Sequence, residues 1–190
     1  GNEMLFQMQA LQNIEIFNQY GVKKILTCDP HAFNTFKNEY GDFGGHYEVI
    51  HHTEFLEKMI DEGKLQLTGE QFKDLVVTFH DPCYLGRGNG VYDAPRRIIE
   101  KLPVNLVEMP RSKSFALCCG AGGGQMFKEA EPGNKEVYEE RTNEAMATGA
   151  KIIVTACPYC MTMITDGIKY KDKEDEMQNL DVAELVARGL

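Results

Sequence analysis

Five of the six cysteines occupy three places in this 190-residue chain: Cys83 alone, the adjacent pair Cys118-Cys119, and Cys157 and Cys160 of a Cys-Pro-Tyr-Cys run. The pattern constrains the fold, because the thiols can act together only if three distant stretches meet at one point. Adjacent cysteines are poor partners for ordinary disulfides. No signal peptide is visible before them, so a reducing, cytoplasmic setting and a ligand or redox role are the expectation.

Thiolates are soft ligands suited to zinc, cuprous copper or iron–sulfur clusters. Structural zinc takes four ligands, typically in two close pairs. Here one pair is adjacent and five thiols exceed a tetrahedral ion's coordination. A multi-iron cluster relieves both problems, since neighbouring cysteines can address different irons. Gly120-Ala121-Gly122-Gly123-Gly124 follows the pair directly. Its glycines let backbone N–H groups come close to anionic sulfur, which makes Gly120 and Gly122 candidate cofactor-binding positions. Cys160 falls in the first turn of an expected helix, whose positive end favours a thiolate. Two other readings stay open. One is a structural zinc module. The other is a glutaredoxin-like dithiol at Cys157 and Cys160, which leaves Cys83, Cys118 and Cys119 unexplained.

Hydrophobic periodicity supplies the frame. Leu5, Met8, Leu11, Ile14 and Phe17 predict a helix from about residue 2 to residue 19, ended by Gly21. Lys24 to Thr27 reads as a short buried strand, followed after Asp29-Pro30 by a helix reaching about Tyr40. Tyr47 to Ile50 is a second strand, and Thr53 is the expected cap of the next helix. Leu75 to His80 has the continuous apolar run of a strand buried on both faces. Further expected elements are a helix from about Ala94 to Leu102, a strand from Asn105 to Met109, a helix from about Lys135 to Thr148 and a strand from Lys151 to Thr155. Helices from Pro158 and from Val182 to Arg188 close the chain. Strands alternating with helices predict an α/β fold with a largely parallel sheet flanked by helices. Such sheets place their sites in the turns after the strands.

An internal repeat suggests pseudo-duplicated halves. Gly21-Val22-Lys23-Lys24-Ile25-Leu26-Thr27-Cys28-Asp29-Pro30-His31-Ala32 aligns with Gly149-Ala150-Lys151-Ile152-Ile153-Val154-Thr155-Ala156-Cys157-Pro158-Tyr159-Cys160. Asp29 and Ala32 then stand where Cys157 and Cys160 stand. Residues 1–70 are read as the remnant of a first cysteine-rich half, degenerate in its Cys-x-x-Cys, and residues 71–190 as a complete second half. The abrupt helical start at Gly1 is read as the edge of a C-terminal fragment of a longer protein. A formal charge of −9 argues against binding a phosphate backbone. No apolar run reaches the ~20 residues of a membrane span, so no membrane contact is expected from this fragment.

Taken together, His80-Asp81-Pro82-Cys83-Tyr84-Leu85-Gly86-Arg87, Pro95-Arg96, Glu108-Met109, Cys118-Cys119-Gly120-Ala121-Gly122-Gly123-Gly124 and Thr155-Ala156-Cys157-Pro158-Tyr159-Cys160 resemble the cysteine-rich CCG domain. That family includes heterodisulfide reductase B-type subunits, glycolate oxidase iron–sulfur subunits and Fe–S oxidoreductases tied to electron-transfer flavoprotein. The resemblance implies an iron–sulfur cluster of the [4Fe-4S] class, with Cys83, Cys118, Cys119, Cys157 and Cys160 as its ligands. It also implies electron transfer inside a larger oxidoreductase, with flavoprotein or ferredoxin-type redox subunits as partners. A position at the cytoplasmic face of a membrane, through segments outside this sequence, would fit the same family. Asp29 to Thr35 resembles a replaced Cys-Pro-His-Cys segment of a preceding motif.

Other residues invite plainer readings. Cys28 is expected as a small buried hydrophobe. His80 is either an orienting group or a structural histidine. His31, His51 and His52 have no metal-ligand spacing, and Arg87, Arg96 and Arg111 are expected as solvated surface cations.

Overall fold

In the computed structural model, which describes residues 1–129 and 132–190, the apolar run at Val76–Phe79 forms strand β3 at the middle of a four-stranded sheet. The other strands of that sheet are β4 (Asn105–Leu106), β5 (Ile152–Thr155) and β6 (Gln178–Asp181). Their order is β4-β3-β5-β6 and every pairing is parallel. A separate two-stranded parallel sheet joins β1 (Lys24–Thr27) to β2 (Glu48–His51). The expected α/β class is what forms.

The β5 sequence Ile-Ile-Val-Thr is buried at every position, as a central parallel strand requires. Ile152 and Val154 face one core with Val77, Phe79, Ile98 and Leu185. Ile153 faces the opposite core with Ala145, Ile164 and Ile168. Helices α4 (Asp93–Glu100) and α7 (Val182–Gly189) thus lie on one side, and α5 (Val137–Ala147) and α6 (Pro158–Tyr170) on the other. Gly167 sets the closeness of α5 and α6, since a Cβ there would fall 2.0 Å from Thr142 Oγ1.

The first part of the chain joins the same core. Phe33 is fully buried in it, with Val49, Leu56 and Ile60 packed against it. Helix α3 (His52–Asp61) contributes the last two, and its His52 Nε2 meets Asp181 Oδ1 at 2.8 Å. A further cluster holds α1 (Glu3–Gln19) through aromatic contacts such as Phe6–Phe43 and Phe17–Tyr47.

Several local expectations are corrected. The buried stripe of α1 runs through Ala10 and Ile14, with Phe6 and Phe17 packed beside them, whereas Leu5, Met8 and Leu11 are more than half exposed. Aromatic partners at Phe36, Tyr40, Phe43 and Tyr47 select that face. Strand β1 is an exposed edge and not a buried strand, with Leu26 53% exposed. Helix α2 (Pro30–Asn34) changes pitch at Thr35, and helical turns continue to Phe43. The cap of α3 is His51, not Thr53, in a capping box with Glu54. Strand β4 is only two residues long. Strand β6 escaped the sequence reading because it is a polar edge strand, with Leu180 its one buried residue.

Candidate metal centre

The strand order reverses between β3 and β5. The chain leaves β3 toward β4 on one side, then returns through α5 to place β5 on the other. Open α/β sheets form a crevice at such a point, beyond the carboxyl ends of the strands. The turn after β3 carries His80-Asp81-Pro82-Cys83, and the turn after β5 carries Ala156-Cys157.

Each segment reaches the crevice for a local reason. Cys157 is the N-cap of α6 and Pro158 fills its first position, where a missing N–H costs nothing. Cys160 follows one turn later and is buried. The β3 turn is fixed by Asp81, whose two oxygens take Arg96 Nη1 and Nη2 at 2.7 and 2.9 Å. Arg96 also grips Glu108 with Nε and Nη2 at 2.6 and 2.9 Å. The backbone N–H of Lys113 donates to Asp81 Oδ2 at 2.7 Å. Asp81 therefore ties the Cys83 turn to the stretch that leads into Cys118-Cys119. Arg96 is buried, contrary to the surface role expected for it. Arg87 is exposed and donates to the Ala116 carbonyl at 2.6 Å, while Arg111 is half-buried against Glu140 and Glu144.

All five expected thiols meet. Cys119, Cys157 and Cys160 share one buried cluster with Cys118 packed against it, and Cys83 lies near enough to Cys118 for the two thiols to shift each other's ionisation. Cys83 and Cys118 are half-buried, and the other three are buried. The glycines act as expected. Gly120 N–H donates to Cys118 Sγ at 3.3 Å, and Gly122 N–H also serves that sulfur. Gly120 has φ +96 and packs against Tyr138 N and Val137, so a side chain there would be strained and crowded.

The thiols control one another's ionisation. Hydrogen bonds from Cys119 and Cys83 hold the Cys118 thiol far below its ordinary range, helped by the glycine N–H groups. Cys83 is pushed up by its bond to Cys118, and Cys119 is pushed up to about 12 by the same neighbour. Cys160 is raised by Cys119 and Cys157. Cys157 is drawn down to about 6, first by the Cys160 thiol and, against the cost of burial, by His31. Ionising all five at such close quarters calls for cations among them. A soft, polynuclear cation fits this donor set.

Two histidines border the sulfurs. His80 is fully buried, with its ligating nitrogen within 4.8 Å of the Cys119 and Cys160 sulfurs. His31 was not singled out by spacing, yet the structure brings it to Cys157, with the donor atoms of Asp29, His31 and Cys157 mutually within 4.8 Å. Its Nδ1 bonds Asp29 Oδ1 at 3.0 Å, and its ring lies tilted against Tyr84 and edge-on to Tyr159, with centroids 4.6 and 4.8 Å away. Asp29 and then Cys157 raise its pKa to about 9. The repeat alignment held the available signal, since it sets His31 opposite Tyr159. His51 and His52 lie elsewhere, and Cys28 is exposed and outside the group, not buried as expected. A cleft of about 270 Å³ opens beside the sulfurs, lined by His31, Tyr84, Tyr159, Phe127 and the Gly122–Gly124 turn.

Residues 77–165 match the cysteine-rich domain family, CCG. The chain carries a CCG cysteine-rich domain. It is 50% identical over its whole length to the probable iron-sulfur-binding oxidoreductase FadF of Bacillus subtilis, of which it covers 27%. It is 43% identical to the EtfAB:quinone oxidoreductase of Syntrophomonas wolfei, again covering 27% of that protein. Across 95% of the chain it is 39% identical to one subunit of the dihydromethanophenazine:CoB–CoM heterodisulfide reductase of Methanosarcina mazei, and it covers 44% of that subunit. The chain thus spans less than half the length of these relatives. Among the described residues, no helix is long and apolar enough to cross a membrane.

Proposed function

We propose that this chain is an iron–sulfur electron-transfer domain of a larger oxidoreductase, with one cluster held by Cys83, Cys118, Cys119, Cys157 and Cys160. The observation that carries the reading is the convergence of the five thiols from three loops at the switch point. Such a cluster supplies one-electron acceptance and release when bound. The chain's own groups position and shield it: Gly120 and Gly122 offer N–H donors to sulfur, and Met163, Tyr138 and Tyr159 exclude water from the buried thiols. We assign the cluster to the [4Fe-4S] class on the resemblance of the five-cysteine pattern to the CCG domain.

Residues 1–70 serve in this reading as a degenerate first half that closes one wall of the site with His31, and residues 71–190 as the half that holds the metal. Redox subunits or domains of flavoprotein or ferredoxin type are the proposed partners. They would approach at the cleft, where Tyr84 and Phe127 are exposed. A reducing cytoplasmic location fits six free thiols. The dithiol-enzyme alternative is disfavoured because Cys160 is fully enclosed and contacts Cys119 as well as Cys157.

Anaerobic reconstitution with ferrous iron and sulfide tests the proposal. The expected protein is brown, absorbs broadly in the visible and carries iron and acid-labile sulfide in equal amounts. A colourless protein that holds a single zinc ion tightly and takes up no sulfide would overturn it.

A further inference from the structure

His80 borders the sulfurs with a hydrogen-bonding state set by a neighbouring arginine. Its backbone N–H is used at the end of β3, donating to the Val154 carbonyl at 2.9 Å. The ring is wholly buried. Arg141, also wholly buried, donates Nε–H to His80 Nδ1 at 2.9 Å. Arg141 is itself held by the Arg111 carbonyl at 2.8 Å and by Glu144 Oε2 at 2.7 Å.

A guanidinium has no acceptor atom and keeps its protons in proteins. Nδ1 must therefore present a lone pair, so the ring is neutral and its single proton is on Nε2. Nε2 has no hydrogen-bond partner among the described residues. A buried, unmade N–H is costly, and one nitrogen of this ring lies within 4.8 Å of the Cys119 and Cys160 sulfurs. The grouping of His80 with those two cysteines resembles a metal-ligand set. The tautomer argues otherwise, because a protonated Nε2 cannot ligate a metal.

We propose that His80 is a positioning residue that donates its Nε2–H to the sulfur at the Cys119–Cys160 side of the bound cluster, with Arg141 locking the tautomer. This rests on the cluster reading above. A donor at that place stabilises the more anionic, reduced state and so raises the reduction potential.

The test uses the reconstituted protein with histidine labelled in ¹⁵N and the cluster reduced. Pulsed electron–nuclear spectroscopy should show a weakly coupled histidine nitrogen and one nearby proton that exchanges in D₂O. Both signals should survive His31→Phe, which removes the other histidine at the sulfurs. His80→Phe should keep its iron and sulfide but be reduced about tenfold less favourably, about 59 mV for one electron. His80→Gln, whose amide N–H reaches the same place, should recover most of that shift. A coupling as strong as direct ligation, the absence of any histidine coupling, or an unchanged potential in loaded His80→Phe would overturn the inference while leaving the cluster reading intact. If His80→Phe does not fold, the spectra of the His31→Phe protein decide alone. Failure of the unsubstituted protein to take up any cluster would sink both.

Discussion

The turn after β1 and the turn after β5 are built alike and do different work. Each follows a parallel strand ending in threonine, each caps a helix, and each has proline at the first helical position. In the first, Asp29 spends its side chain on the helix, accepting from His31 N–H at 2.9 Å. In the second, Cys157 makes no such bond and its sulfur turns to the other thiols. The strands differ accordingly: β1 is half open to solvent and β5 is buried throughout. A strand–proline–helix turn is therefore a general way to present a side chain at a helix N-terminus. Two positions in it differ, Asp29 against Cys157 and Ala32 against Cys160, and under the proposed function they separate a turn that holds a helix end from one that holds a metal.

The largest expected contrast between the two turns lies in metal content. Cys157→Ser should abolish stable cluster loading, measured as iron and sulfide per chain, whereas Cys28→Ser should leave both unchanged. Retention of full loading in Cys157→Ser would remove the basis for treating the second turn as special. The turns should also differ in what fixes them. Arg96→Met strands the buried Asp81 and should cost about 3–5 kcal/mol in urea unfolding. Asp29→Ala removes a helix cap and the partner of the His31 ring, both partly exposed, and should cost about 1–2 kcal/mol.

His51, at the end of β2, sharpens the comparison through pH. Burial lowers its pKa from 6.5 to about 3. Its folded value lies below its unfolded one, so the unfolded chain binds the extra proton as pH falls. Stability associated with neutral His51 should be intact above pH 6.5 and decline steadily as pH drops toward 3. The loss should reach about 2 kcal/mol at pH 5. Urea midpoints between pH 7 and pH 5 should show a smaller decline in His51→Gln. A further effect concerns helix placement. Gly167→Ala brings a methyl onto Thr142 and should cost about 1–3 kcal/mol without altering which thiols contact each other.

Much of this architecture was legible in the sequence. The run Leu75 to His80 and the Ile152–Thr155 segment announced central strands because parallel strands buried on both faces read as unbroken apolar runs. The five cysteines stood out because few environments use adjacent thiols, and the fold brings them together. What stayed hidden depends on contacts between distant residues. Arg141 reads as a surface charge on a polar helix until the fold sets it against His80. Asp81, Arg96 and Glu108 are ordinary singly and become a clamp only when β3, α4 and the stretch after β4 converge. His31 was obscured because it stands far from Cys157 along the chain, and only the fold brings the two together. Strand β6 was lost for a different reason: its pairing with β5 rests on backbone bonds that polar side chains neither require nor reveal.

Peptide-resolved alkylation of the reconstituted, anaerobic protein is the most direct check on joint ligation by the five thiols. Cys83, Cys118, Cys119, Cys157 and Cys160 should all resist iodoacetamide until the cluster is removed by acid or chelator, while exposed Cys28 reacts at once. Modification of any one of the five at the rate of Cys28, with iron and sulfide still bound, would contradict it.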